Sequence, residues 1–261
     1  MEARAYQTLL VAEAGGVATV TLNRPERRNA IGTEMANELL YALEDATAAP
    51  SVKSIVLTGA GKAFCAGGDF QQMTGGGGGE GLPFKGDYRE LLARLFFAEK
   101  PVIARVNGHA MGGGLGLVAA CTFAVASTEA KLGTPEIDVG LFPFMIFAVL
   151  ERVMPRRRLL EMVLGGERLT AAEAERAGLV NRAVPPDELD SAVKRYTELL
   201  ASKSPTALRL GLRAIRDADG LALDDQTRLL GERLGECLGT EDAREGLMAF
   251  LEKRAPRWTG R

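Results

Sequence analysis

The stretch between Val106 and Phe123 constrains this chain more than any other. A short apolar strand-like segment, residues 101–106, precedes it, and a second, residues 123–126, follows it. Between them Gly112-Gly113-Gly114 leads into the small and apolar residues 115–121. Such a glycine run reads as a turn, here one that opens a buried helix. Strand, turn, helix and strand in succession favour an α/β fold.

The alternation runs through the whole first half. Residues 17–22 alternate like a half-buried strand, and Asn23-Arg24-Pro25 breaks them. Thr33 is placed to cap a helix with Met35, Leu39, Leu43 and Ala46 on one stripe. Residues 54–58 are another short strand, ended by Gly59-Ala60-Gly61. The second half reads as helical. Thr170 and Glu173 form a capping box, and Gly178 closes that helix. Leu189, Val193, Tyr196 and Leu200 mark another helix, and Ser204-Pro205 begins a third with proline in its first turn. Residues 221–238 and 241–254 complete the set. The expected division is a core over residues 1–200 and a helical assembly region over 201–261. Gly75 to Gly79 reads as a flexible surface loop of the kind that borders binding pockets.

Composition excludes several classes of partner. Lys and Arg number 32 against 34 Asp and Glu, a net charge of −2, so no broad attraction to nucleic acid or acidic lipid is expected. The first ten residues lack a basic start followed by an apolar stretch, so no secretory leader is expected. The longest apolar run, residues 139–150, is interrupted by Gly140 and Pro143 and falls short of the ~18 residues that span a bilayer. Cys65, Cys121 and Cys237 are widely spaced and read as reduced thiols of a cytoplasmic protein. His109 stands alone, and no metal-ligand spacing is present.

Two glycine-bearing segments are candidates for chemistry, residues 61–70 and residues 106–114. Small residues let a ligand approach the backbone, and free N–H groups at a helix start favour developing negative charge. Neither segment holds G-x-G-x-x-G in register or a phosphate loop. On residues alone each reads first as a tight turn. Likewise Glu136 reads as a turn cap, Asp138 as a salt bridge or cap, and His109 as a packed polar residue. Arg156-Arg157-Arg158 reads as a solvated helix face, and Cys65 lacks the histidine partner of a nucleophile.

Five stretches, taken in order, carry a resemblance. Asn23-Arg24-Pro25 with Asn29-Ala30, Ala63-Phe64-Cys65-Ala66-Gly67-Gly68-Asp69, and Val106-Asn107-Gly108 with Gly112-Gly113-Gly114 resemble signature stretches of the crotonase superfamily, the enoyl-CoA hydratases and isomerases. Thr134-Pro135-Glu136-Ile137 and Phe250-Leu251-Glu252-Lys253-Arg254 resemble two more, so the likeness runs from about Tyr6 to Trp258. It implies a spiral of ββα units with a C-terminal helical region that forms a homotrimer, usually within a hexamer. The implied substrate is an acyl-CoA thioester, coenzyme A being part of the substrate and no cofactor being permanently bound. By position the resemblance implies Ala66 and Gly113 as oxyanion-hole donors. It implies backbone at Ala66, Gly68, Asp69 and Phe70 along the adenine and pantetheine path. Arg28, Phe250 and Lys253 match positions near the CoA phosphates or adenine.

Family hydratases place two glutamates at the reacting carbons. In this chain the first falls on Gly116 and is missing, while the second is Glu136. The small residues usual after the next proline are replaced by Pro143-Phe144-Met145-Ile146-Phe147, which implies a bulkier, more apolar acyl pocket. Adding water divides naturally between two carboxylates. Moving a double bond from C3 to C2 needs one base, which removes a proton at C2 and returns it at C4. The single glutamate therefore favours Δ3–Δ2 enoyl-CoA isomerisation. The alternative is 2-enoyl-CoA hydration, and a reading of another class is a catalytically weak CoA- or RNA-binding member. Gly116→Glu is expected to restore a second carboxylate and raise hydration relative to isomerisation, at an overpacking cost of ~1–3 kcal/mol. A carboxylate in an apolar pocket is expected to have a raised pKa.

Overall fold

A computed structural model describes residues 4–69 and 81–261; Phe70 and the glycine run at 75–79 lie outside the described residues. Six strands form the larger sheet, adjacent in this order: β1 (Leu9–Ala14), β2 (Val17–Leu22), β3 (Ser54–Gly59), β5 (Val102–Val106), β7 (Phe123–Ser127) and β10 (Arg182–Val184). The β1–β2 hairpin is antiparallel and the other pairs are parallel. A four-stranded sheet holds β4 (Ala63–Cys65), β6 (His109–Met111), β8 (Lys131–Gly133) and β9 (Arg168–Thr170). Here β4, β6 and β8 run parallel, and β9 closes the edge antiparallel.

The chain visits the two sheets in turn. β3 hands on to β4, β5 to β6 and β7 to β8. Helix α1 (Thr33–Ala48) precedes β3, and α2 (Tyr88–Phe96), α3 (Gly113–Ala120) and α4 (Phe144–Leu150) come after successive strand pairs. This strand–strand–helix repeat is the spiral that the sequence led us to expect.

Period-two alternation divides the core across the larger sheet. Ile55, Leu57, Val102, Ala104, Ala124 and Ala126 face the main cluster, which also takes Met35, Leu39 and Leu43 of α1. Val56, Ile103 and Val125 face the other way, where they meet Leu189, Val193 and Leu200 of a later helix, Leu189–Ala201. All of β3 is buried, as befits a parallel strand covered on both faces. Burying each such aliphatic side chain stabilises the fold by about 1.5–3 kcal/mol. The helix cap at the start of α1 differs from the expectation. Gly32 is the N-cap, Thr33 is the first helical residue, and no side chain caps the helix. Ile31, the residue before this cap, is bridged to Gly68.

Asn29 fastens the β3–β4 turn and β4 itself. It is fully buried in a left-handed conformation, φ 57°. Its side-chain N–H groups donate to the carbonyls of Ala60, Ala63 and Phe64, and its Oδ1 accepts from the Arg24 N–H. Asn29→Ala strands buried polar groups that cost about 1–3 kcal/mol each, and adds left-handed strain of about 1–2 kcal/mol. We expect a loss of at least about 2 kcal/mol in urea unfolding; a midpoint equal to wild type would contradict this role.

The last three helices, Pro205–Ala218, Leu223–Leu238 and Glu241–Leu251, cover less. Leu223–Leu238 buries none of its residues, and Leu223, Leu234, Leu238, Leu247, Phe250 and Leu251 are exposed. Among the described residues no helix is long and apolar enough to cross a membrane.

Candidate active site

Three neighbouring parallel strands deliver three segments to one place. β4 runs into Ala66-Gly67-Gly68, β6 into Gly112-Gly113 at the start of α3, and β8 into the 3-10 turn Pro135–Val139, which carries Glu136. The carboxyl ends of parallel strands are where α/β proteins commonly place ligands. The Gly112 N–H donates to the Gly133 carbonyl at 2.9 Å, which ties the second segment to the third.

Each residue of the glycine triplet has its own reason. Gly112 holds φ +48°, and a Cβ there would stand 2.6 Å from Glu136 Oε1. Gly113 begins the helix, so its N–H has no intrahelical acceptor. A Cβ on Gly114 would overlap the Cys65 backbone. Glycine thus lets the Glu136 carboxylate lie directly over the turn.

Glu136 is half-buried, and its Oε2 is buried without a hydrogen-bond partner among the described residues. Loss of solvation raises its pKa above the usual carboxylate value, as expected for a carboxyl against apolar walls. It borders a cavity of about 350 Å³ together with Gly68, Gly113 and Tyr88. Leu141, Phe142, Phe144, Met145 and Ile146 make the cavity wall apolar, so the bulky run after Pro143 lines it as far as Ile146, and Phe147 does not.

The structure corrects three expectations, those for Ala66, Gly116 and His109. The Ala66 N–H donates to the Arg28 carbonyl at 2.9 Å, so it is spent on the backbone, and Ala66 does not line the cavity. Gly68, two residues on, does line it, and no hydrogen bond from its N–H is recorded among the described residues. At Gly116, a Cβ would overlap Ile146 Cγ2 and Tyr88 Oη, so Gly116→Glu has no room and cannot simply restore a carboxylate. Asp138, in keeping with a structural reading, is exposed and turned towards Gly166, away from the cavity lining. His109 is exposed at the surface of β6 rather than packed, with Nδ1 accepting from the Lys131 N–H at 3.0 Å.

The other candidates are scattered. Asp69 is buried and ion-paired with Arg24 and Arg27, each at 3.1 Å, which holds its carboxyl below the usual range despite burial. Its backbone N–H donates to the Ile31 carbonyl. Arg28 is exposed in a left-handed turn, φ 51°. Phe250 and Lys253 are exposed at the end of the last helix and do not border this cavity. Phe70 lies outside the described residues.

Sequence reasoning missed α2 and its first residue, Tyr88. The signal for the helix was present: Asp87 accepts from the N–H groups of Arg89 and Glu90, and Glu90 accepts from the Asp87 N–H, a capping box. Nothing local marks Tyr88 as a cavity residue; its position follows from α2 packing across α3.

The family model for enoyl-CoA hydratase/isomerase matches residues 12–261. A Thermus thermophilus protein bearing an enoyl-CoA hydratase name is 39% identical over 249 residues, covering 94% of this chain and 98% of that one. The short-chain-enoyl-CoA hydratase of Clostridium acetobutylicum is 35% identical over 94% of this chain and 95% of its own length. Among solved structures, an enoyl-CoA hydratase from Bacillus anthracis superposes with a TM-score of 0.89 at 31% identity, covering 98% of this chain and 100% of that one.

Proposed function

Because the chain belongs to the enoyl-CoA hydratase/isomerase family, we propose that it reversibly hydrates a 2-enoyl-CoA, with Glu136 as the single carboxylate that handles the proton. The observation that carries this reading is the unpartnered, buried Oε2 of Glu136 beside the glycine turn. The thioester oxygen accepts hydrogen bonds from the Gly68 and Gly113 N–H groups. Water adds at C3 as Glu136 takes its proton, the π electrons pass into the thioester enolate, and Glu136 returns the proton to C2. An oxyanion donor of this kind lowers the barrier by about 2.7–4 kcal/mol. The names of the relatives support hydration over isomerisation.

Isomerisation of a 3-enoyl-CoA is the second reading, and the missing carboxylate at Gly116 favours it. Incubation with 2-enoyl- and 3-enoyl-CoA, with products assigned by mass and NMR, separates the two. Gain of water by 2-enoyl-CoA supports the first reading. A double-bond shift with no hydration overturns it.

The pH dependence follows from Glu136. Burial raises its pKa, so kcat/KM falls on the acid side with a midpoint above the ~4.3 of an unperturbed glutamate. An acid limb at or below that value would count against Glu136 as the base.

The exposed leucine face of the last two helices supports a homotrimer or hexamer, with Arg28, Phe250 and Lys253 reaching the CoA moiety and the Gly68–Asp69 backbone along its path. Sedimentation should give a multiple of the 27.8 kDa chain mass; a monomer at micromolar concentration would refute the assembly. Three unpaired cysteines accord with a cytoplasmic setting.

A further inference from the structure

The geometry points to Tyr88 as the residue that holds the attacking water, its phenol oxygen occupying the space that Gly116 leaves open. This inference rests on the hydration reading. Tyr88 is the first residue of α2, fixed there by the Asp87–Glu90 capping box, and it borders the same cavity as Glu136, Gly68 and Gly113. Its Oη would be overlapped by a Cβ on Gly116 and lies 3.4 Å from the Cβ position of Gly113. The phenol therefore stands next to the proposed oxyanion donor, on the wall where residue 116 contributes no side chain.

The hydrogen bonding decides what this hydroxyl can do. Tyr88 Oη donates its one proton to the Gly113 carbonyl at 2.5 Å. No donor among the described residues is directed at Oη, so what it offers the cavity is lone pairs. Burial, with smaller contributions from Cys65 and Glu136, pushes the phenol pKa well above its ordinary value, so the hydroxyl stays neutral and keeps its proton on Gly113. A neutral acceptor suits water. One O–H of the water donates to Tyr88 Oη and the other to the Glu136 carboxylate, which leaves an oxygen lone pair for C3. When the C3–O bond forms, the proton moves to Glu136 and then to C2, while Tyr88 begins and ends the cycle as a phenol. Tyr88 is thus a positioning residue for water, and one carboxylate serves where two would otherwise be expected.

Tyr88→Phe keeps the ring and removes the acceptor. Losing one neutral hydrogen bond lowers hydration kcat by about tenfold. KM for 2-enoyl-CoA should stay within about threefold of wild type. A second readout isolates water: exchange of the C2 proton of a saturated acyl-CoA with D2O needs Glu136 and the oxyanion hole, but no attacking water. That exchange should keep its wild-type rate in Tyr88→Phe. Replacing Tyr88 with 3,5-difluorotyrosine, which preserves the hydroxyl but weakens its oxygen as an acceptor, should lower hydration and spare exchange, and it covers the case in which phenylalanine perturbs folding. Hydration above half the wild-type rate in both variants overturns the role of Tyr88 and leaves the hydratase reading standing. Equal loss of hydration and exchange overturns it too, since Tyr88 would then only support the Gly113 turn. A wild-type protein that exchanges C2 protons but never hydrates overturns the hydratase reading and this inference with it.

Discussion

Glu136→Gln is expected to lower turnover by ~10²–10⁴-fold, the usual cost of losing a positioned general base. Gln keeps the side-chain volume above Gly112, so binding of a saturated acyl-CoA should stay within a few-fold of wild type by calorimetry. Stability should respond in the opposite sense. Burial raises the pKa of Glu136 in the folded state, so the fold favours the protonated carboxyl. The stability this provides is present below the unfolded pKa and is lost as pH rises through the folded pKa. Gln carries no such dependence. The melting temperature of Glu136→Gln should therefore gain on wild type as pH rises from the acid range to neutrality. A variant that retains more than half the wild-type rate would remove Glu136 from the chemistry.

Much of the fold was legible because its signals are local. The alternation in β2, the capping box at Thr170 and the Ser204-Pro205 start all lie where the residues place them. The glycine triplet was legible as a turn, and the structure supplies the separate need for each glycine. What escaped was set by contacts distant in sequence. Whether the Ala66 N–H is free depends on the carbonyl of Arg28, which Asn29 and the β4 loop bring against it. No pattern within residues 63–69 could show that Gly68, and not Ala66, borders the cavity. The consequence of Gly116 was likewise hidden. The missing side chain reads in sequence as a deletion of function, but in the structure Tyr88 and Ile146 fill the space from two other helices.

Gly113→Pro should lower turnover by at least ~10²-fold, the scale for losing one oxyanion donor, because proline has no N–H. Its fold should survive for reasons the structure makes plain. Gly113 is the first residue of its helix, where proline is favoured and no intrahelical bond is lost. A Cβ at this position meets Tyr88 at 3.4 Å, ordinary van der Waals contact. Gly113→Ala is the matched control, since it adds that Cβ and keeps the N–H. Activity near wild type in Gly113→Ala, with the large loss in Gly113→Pro and unchanged circular dichroism in both, would assign the effect to the donor itself. Equal losses in the two variants would mean that bulk beside Tyr88 is responsible. A folded Gly113→Pro enzyme with normal turnover would remove Gly113 from the oxyanion hole, leaving Gly68 as the one of the two proposed donors still in place.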